Sequence, residues 1–261
     1  MFRGEYWWGG VIVFIGFILI NVMIFLLRNK PQLSYAISYS IACFLFVYKT
    51  TEYIYYQAIG LHMQFPMEIS AMAYFIFSIL VVFRLKKIDG FGAFLGVLAG
   101  FVYSAGWWIS PSTFVLYEEH MFFKVMAVMN HHLVYTGGML MLANVRKYRY
   151  SSFWQYLLGL GVLIGYSWII HLFTPYTEAN GGTTPTAIQI TSASVLENIM
   201  PADKIQTWHV AVYYVVVSIV LLLIVFGALF LSNKMSARRK KRGLPEDYFP
   251  EKWINTYKFS H

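Results

Sequence analysis

One cysteine, Cys43, in 261 residues leaves no partner for a disulfide within the chain. It also leaves no CxxC pair for dithiol redox chemistry or a cysteine-based zinc site. Charge is scarce too: Asp, Glu, Lys and Arg together make up 12% of the chain, against about 25% in an ordinary soluble domain. No lysine lies between Lys204 and Lys234, so the last apolar stretch cannot carry a retinal Schiff base. No HExxH marks a metalloprotease helix, and no GxSxG marks a nucleophile elbow. Internal repeats and low-complexity linkers are lacking as well. The N-terminus has no short apolar core followed by a small-residue cleavage site, so the first apolar stretch is expected to stay as a helix.

What is there is apolar. The chain is 58% hydrophobic and 19% aromatic, with a mean hydropathy of +0.56, a composition that belongs to integral membrane proteins with aromatic residues at the interfaces. Seven stretches, at 9–27, 34–56, 66–83, 91–110, 124–143, 153–173 and 209–231, approach the roughly 20 residues that a spanning helix needs. The expected fold is therefore all-α, a polytopic membrane protein with seven transmembrane helices. Lys49, Glu52, His131 and His132 interrupt the second and fifth stretches.

The loops alternate in charge. Arg28 and Lys30, then Arg84, Lys86 and Lys87, then Arg146, Lys147 and Arg149, then Lys234 and "ARRKKR" (237–242) follow the odd-numbered stretches. The intervening loops hold almost no basic residue: 57–65 has none, 111–120 carries Glu118 and Glu119, and 174–208 has only Lys204. Lys and Arg are retained on the cytoplasmic side. This places the N-terminus outside and the C-terminus inside, with a transmembrane domain over 1–233, a long outer loop at 174–208 and a basic cytoplasmic tail over 234–261. The net charge of +8 is a topology signal and does not call for nucleic acid. The tail is read as a stop-transfer anchor that can also meet anionic lipid.

Counting depth from each basic anchor brings polar residues into one layer. His132 precedes Arg146 by fourteen residues and Ser70 precedes Arg84 by fourteen, so both sit about 21 Å above the inner anchors. Glu68 lies slightly higher. Lys49, Glu52, Lys124, His131, Tyr135, His171 and His209 are expected to join them around a polar cavity in the outer half. Lys124, His131 and Tyr135 share a helical face, whereas His132 points about 100° away from His131. Pro66 suits a first helical turn, which would set Glu68 and Ser70 at a helix N-terminus favourable to an anion.

Ionisable groups inside a membrane are expensive and usually serve a function, although some simply hydrogen-bond neighbouring helices. One reading is acyl chemistry, with Ser70 as nucleophile, His132 as its base and Glu68 orienting. A second is a proton-coupled or small-solute transporter using Lys49, Glu52 and the histidines. A third is a non-catalytic lipid-binding or assembly protein. No metal or cofactor is called for.

The stretch "LHMQFPMEISAMAYFIFSILVVFRLKK" resembles the YwaF-like bacterial integral membrane family. A hallmark of that family is a Leu-Pro-Leu-(His/Glu)-Leu-Cys segment opening a helix; here it reads Phe65, Pro66, Met67, Glu68, Ile69, Ser70. A later helix histidine is matched by His132 in "HHLVYTGGMLMLANVRKYR". A further Gly-x-Asn-Tyr loop is matched by "NGGTTPTAIQITSASVLENIM", with Thr183 and Thr184 in place of Asn and Tyr. The likeness covers roughly residues 35–230. It implies a multi-pass protein of a bacterial plasma membrane. A eukaryotic relative is an acyltransferase that builds polyunsaturated ether phospholipids with a motif cysteine and a helix histidine. Carried over, these positions are Ser70 and His132, with membrane lipids as partners and serine where the relatives have a thiol.

Overall fold

The computed structural model describes residues 7–58, 66, 68–109, 121–173, 186–198 and 200–250. Among them every regular element is helical: α1 (Trp7–Leu26), α2 (Pro31–Ala58), α3 (Ile69–Val82), α4 (Asp89–Ile109), α5 (Met121–Met139), α6 (Phe153–Phe173), the short α7 (Thr186–Thr191) and α8 (Thr207–Lys241). Five of these, α1, α2, α4, α6 and α8, are long and apolar enough to cross a membrane. Large apolar side chains such as Ile12, Leu19 and Phe25 on α1 and Val215, Leu223 and Phe226 on α8 face outward, as a hydrocarbon solvent requires. α3 has only 14 residues, and α5 carries Asn130, His131 and His132.

Element boundaries follow local chemistry. Pro31 begins α2, where its missing N–H costs nothing. α3 starts at Ile69 with Glu68 in an extended N-cap conformation, so Pro66 lies upstream of the helix and not in its first turn, as the sequence suggested. The residue before the helix must be extended to enter it, and Glu68 takes that position. Ser70 does fall in the first turn. α8 is capped reciprocally: the Gln206 side chain accepts from the His209 N–H, and His209 Nδ1 accepts from the Gln206 N–H at 2.9 Å. α5 runs into a π-helical turn, Leu140–Val145, closed by the Arg146 N–H donating to the Met141 carbonyl at 2.8 Å.

The centre of the bundle is α2 to α5, with α4 and α5 in the most intimate contact. A row of glycines on α4 makes that approach possible. A Cβ on Gly96 would lie 2.8 Å from the Val134 carbonyl oxygen, and one on Gly100 would lie 2.5 Å from that of His131. From the other side, a Cβ on Gly138 would meet the Ala93 carbonyl oxygen at 2.5 Å. Small residues at such spacing let backbones touch where no hydrophobic effect drives helices together. α1 packs on α4 and α5, while α6 lies along α8 and α4.

α8 behaves differently in its two halves. Its buried residues are Val225, Leu229, Ser232, Ser236 and Arg239, a strict three-four repeat of the kind that seats one helix against another. N-terminal to Val225, no described side chain of α8 is buried. The lower half is thus locked to the bundle, chiefly on the π-helical turn, and the upper half stands away from it.

Charged groups close the basic end. Arg146 donates to Asp89 at 3.0 Å, to Asp247 at 2.6 Å and to the Lys86 carbonyl at 3.1 Å. Asp89 is only 2% exposed. Arg239 donates to the Arg146 and Glu246 carbonyls at 2.9 and 2.6 Å and also to that of Ala143, drawing the segment after α8 back under the bundle. Hydrogen bonds from Lys147 and Lys240 hold the Glu246 carboxyl down to about 2, so it stays ionised wherever the protein is folded near neutral pH.

The glycine contacts lead to a paired prediction. Gly100→Ala should lower stability in detergent by about 1–3 kcal/mol through overpacking. Gly161→Ala, with nothing within 4 Å, should leave stability unchanged or raise it by up to about 1 kcal/mol. Thermal melts of the purified variants decide; equal melting temperatures would remove the close α4–α5 contact as the organising feature.

Candidate functional site

The separation of α8 from α4 leaves a cavity of about 550 Å³. Leu98, Ala99 and Val102 of α4 form one side, and Val216, Val217, Val220, Leu221 and Ile224 of α8 form the other. Its polar groups come from Glu68 and Ser70 at the start of α3, Tyr103 of α4 and His131 of α5, with Ile190 of α7 at the rim. The remaining lining is almost wholly hydrocarbon.

His131 is held on three sides. Its ring stacks on Tyr103 at 3.6 Å with an interplanar angle of 8° and meets Tyr74 edge-on at 5.5 Å. Its Nδ1 lies 2.7 Å from the Ala127 carbonyl oxygen. A carbonyl can only accept, so Nδ1 carries the proton, and in the neutral ring Nε2 is left with the lone pair. Among the described residues nothing bonds to Nε2. A histidine whose tautomer is set in this way by a backbone oxygen is prepared to accept a proton at its other nitrogen.

Behind His131 lies a second polar group. Lys49 of α2 is 8% exposed and donates to Glu52 at 2.6 Å, while the Tyr48 hydroxyl donates to the other Glu52 oxygen at 3.0 Å. The Lys49 ammonium sits 4.9 Å from the Tyr74 ring centre and 5.0 Å from that of Tyr48, a cation–π arrangement that helps a charge tolerate burial. Tyr74 therefore touches both groups, with Lys49 over its face and His131 in a T-shaped contact.

The expected site residues divide accordingly. Ser70, Glu68 and His131 share the cavity, and Lys49 and Glu52 form the neighbouring pair. His132 turns to α1, where a Cβ on Gly16 would lie 3.2 Å from its Cε1; its Nε2 is buried without a partner among the described residues. Adjacent helix positions diverge by about 100°, so a depth count that puts both histidines in one layer says nothing about which faces Ser70. Tyr135 donates to Asn21 of α1 at 3.0 Å. His171 lies edge-on to Trp168, its centroid 6.3 Å away, and His209 serves the α8 cap. The side chain of Lys124 lies outside the described residues. Tyr103 and Tyr74 were missed by the sequence reading. Gly96 and Gly100 mark the face that α4 gives to α5, and Tyr103, three residues beyond Gly100, continues that face.

These features define a class, the helical integral membrane protein, with a laterally placed apolar cavity and a polar corner. No family model, curated protein or solved structure matches the chain.

The buried pair provides a test of its own. Glu52→Gln leaves the Lys49 ammonium without its counter-charge and should cost about 3–5 kcal/mol, whereas a Lys49→Met/Glu52→Leu double variant should recover most of that loss. Melting temperatures of the three proteins give the comparison; a double variant as unstable as the single would mean that the pair is not what keeps Lys49 buried.

Proposed function

We propose that this is a multi-pass enzyme of a cell membrane that takes a lipid acyl group into the cavity and transfers or hydrolyses it through Ser70 and His131. The observation that carries the reading is that a serine and a histidine with an uncommitted Nε2 share the wall of one apolar cavity. Ser70 Oγ attacks the ester carbonyl while His131 Nε2 takes the hydroxyl proton. The tetrahedral intermediate collapses, and His131 returns that proton to the departing alkoxide, leaving an acyl-serine. Water or an acceptor alcohol, deprotonated by the same nitrogen, then attacks the acyl carbonyl; the bond to Ser70 breaks, and the serine oxygen takes the proton back from His131. Tyr103 and Tyr74 position the imidazole.

His131 is preferred to His132 as the base because the His132 ring lies against α1. The resemblance of residues 65–70 to the YwaF-like motif also favours Ser70 as the reacting position and a bacterial plasma membrane as the location. In this reading α3 and α5 are the remaining two crossings. A 14-residue helix rises about 21 Å, short of the roughly 30 Å hydrocarbon core. Yet α3 packs against α2, α4 and α5, and irregular backbone at membrane depth is tolerated where protein surrounds it. Seven crossings with the basic ends inside put the cavity in the outer half.

The buried Lys49–Glu52 pair favours a second reading, proton-coupled movement of a small solute. A non-catalytic lipid-binding protein is a third. Variants separate them. Ser70→Ala and His131→Ala should each abolish acyl transfer or hydrolysis, the double variant should be no worse than either single, and Ser70→Cys should restore part of the activity. His132→Ala should stay within about threefold of the parent, since its ring does not line the cavity. Lipid composition of membranes with and without each variant is the readout; an active Ser70→Ala protein that still needs Lys49 and Glu52 would point to transport. For topology, cysteines placed at Ser194 and Ser260 should label from opposite sides, and labelling of both from outside would sink the seven-crossing arrangement.

A further inference from the structure

We infer that the cavity is a ruler for the acyl chain, sized for a medium-length chain and closed at its deep end by the point where α8 locks onto the bundle; this rests on the acyl reading of Ser70 and His131. The walls contributed by α8 run from Val216 to Ile224, a rise of about 12 Å, which accommodates an extended chain on the order of ten carbons. The floor is explicit. Below Ile224 the helix seats on the bundle: Val225 is fully buried, Leu229 one turn further is fully buried too, and the π-helical turn Leu140–Val145 is what this part of α8 packs against. The opposite wall tells the same story: Ala99 of α4 lines the cavity, while Leu95, one turn deeper, is fully buried in the core.

The polar groups are confined to the other part of the same space. Ser70, Tyr103 and His131 stand where an ester carbonyl would be presented, and Val217, Val220, Leu221 and Ile224 offer only hydrocarbon to what hangs from it. A lipid chain already lies in hydrocarbon, so the walls select by packing and fit and not by withdrawal from water. A chain that is too long must bend out between α4 and α8 or withdraw its carbonyl from Ser70. Ile224 and Ala99 are therefore the residues that set chain length, Ile224 by filling the floor and Ala99 by leaving room beside it.

Two probes test this on the full-length protein in detergent or nanodiscs. Alkyl fluorophosphonates with hexyl, decyl and hexadecyl chains react with an activated serine, with fluoride as the leaving group, and report labelling of Ser70. The decyl probe should label fastest, with the hexadecyl probe slower by about tenfold or more, because its surplus carbons overpack the floor or withdraw the phosphorus from Ser70. Ile224→Ala should move the optimum to longer chains, and Ala99→Leu to shorter ones, which keeps the test valid if one variant fails to fold. Independently, diazirine-bearing fatty esters of the same three lengths are offered to Ser70→Ala, and photocapture at α8 is mapped by mass spectrometry. Labelling at equal rates for all lengths overturns the ruler but leaves Ser70 chemistry standing. Length-dependent photocapture with no fluorophosphonate labelling overturns the chemistry but leaves the ruler. Neither labelling nor capture overturns both.

Discussion

The contact on which the rest depends is the near-touching of the α4 and α5 backbones. Gly96 and Gly100 on one helix and Gly138 on the other bring carbonyl oxygens to where side chains would normally stand. At that separation Tyr103 can lie flat on His131 at 3.6 Å, and the histidine cannot swing. Were the helices a residue's width further apart, the stack would open and the imidazole would gain freedom. The glycine row sacrifices helix propensity, about 1 kcal/mol per position relative to alanine, in exchange for a fixed base. The same approach commits the remaining faces of α5: Tyr135 and His132 are turned to α1, and Ser38 of α2 donates to the Gly137 carbonyl at 2.9 Å.

α8 supplies the counterpart. Arg239 gathers the carbonyls at the end of the π-helical turn, and Asn233 donates to the Tyr148 carbonyl at 2.7 Å, so the lower half of the helix is fixed by polar bonds as well as by its buried stripe. A rigid helix fixed along half its length holds its free half at a set distance. The cavity is thus not a packing defect but the consequence of one long helix, 35 residues, whose buried seat lies only toward the basic end. Its free half is tied to the short α7 segment through Tyr213 and Tyr214, which donate to the Ile190 and Thr191 carbonyls at 3.0 and 2.7 Å. Ile190 is thereby carried to the cavity rim.

The helical class and the position of most helices were legible in the sequence because length and hydrophobicity are one-dimensional quantities. Ser70 and the histidine pair do occur on neighbouring helices. Rotation was not legible. Whether His131 or His132 meets the cavity depends on which face of α5 is given to α4. Reading that face requires seeing that Gly96 and Gly100 form a contact row and that Gly138 answers it. Nor could the start of α3 be placed from Pro66 alone, since a proline permits a first turn without requiring one. The two halves of α8 were hidden for a further reason. Val, Leu and Ile occur all along it, so hydrophobicity cannot tell a seat against protein from a surface offered to lipid; only the spacing of Ser232, Ser236 and Arg239 within the three-four repeat betrays the locked half.

The competing readings ask different things of the same interior. A transporter needs polar groups that can be reached in turn from both ends of the bundle. Here the polar groups beside the cavity are concentrated at one end of it, and Val225, Leu229 and the core residues Leu95 and Leu142, all fully buried, intervene before the Asp89–Arg146–Asp247 cluster. The Lys49–Glu52 pair is also fully engaged, one carboxylate oxygen by the ammonium and the other by Tyr48, which suits a fixed charge better than a travelling one. An enzyme of acyl groups needs only a polar corner, a base of defined tautomer and hydrocarbon walls with a floor. Ser70, His131 and the α4–α8 gap fit that requirement, and the buried ion pair then holds α2 in place behind Tyr74, the ring against which His131 is set.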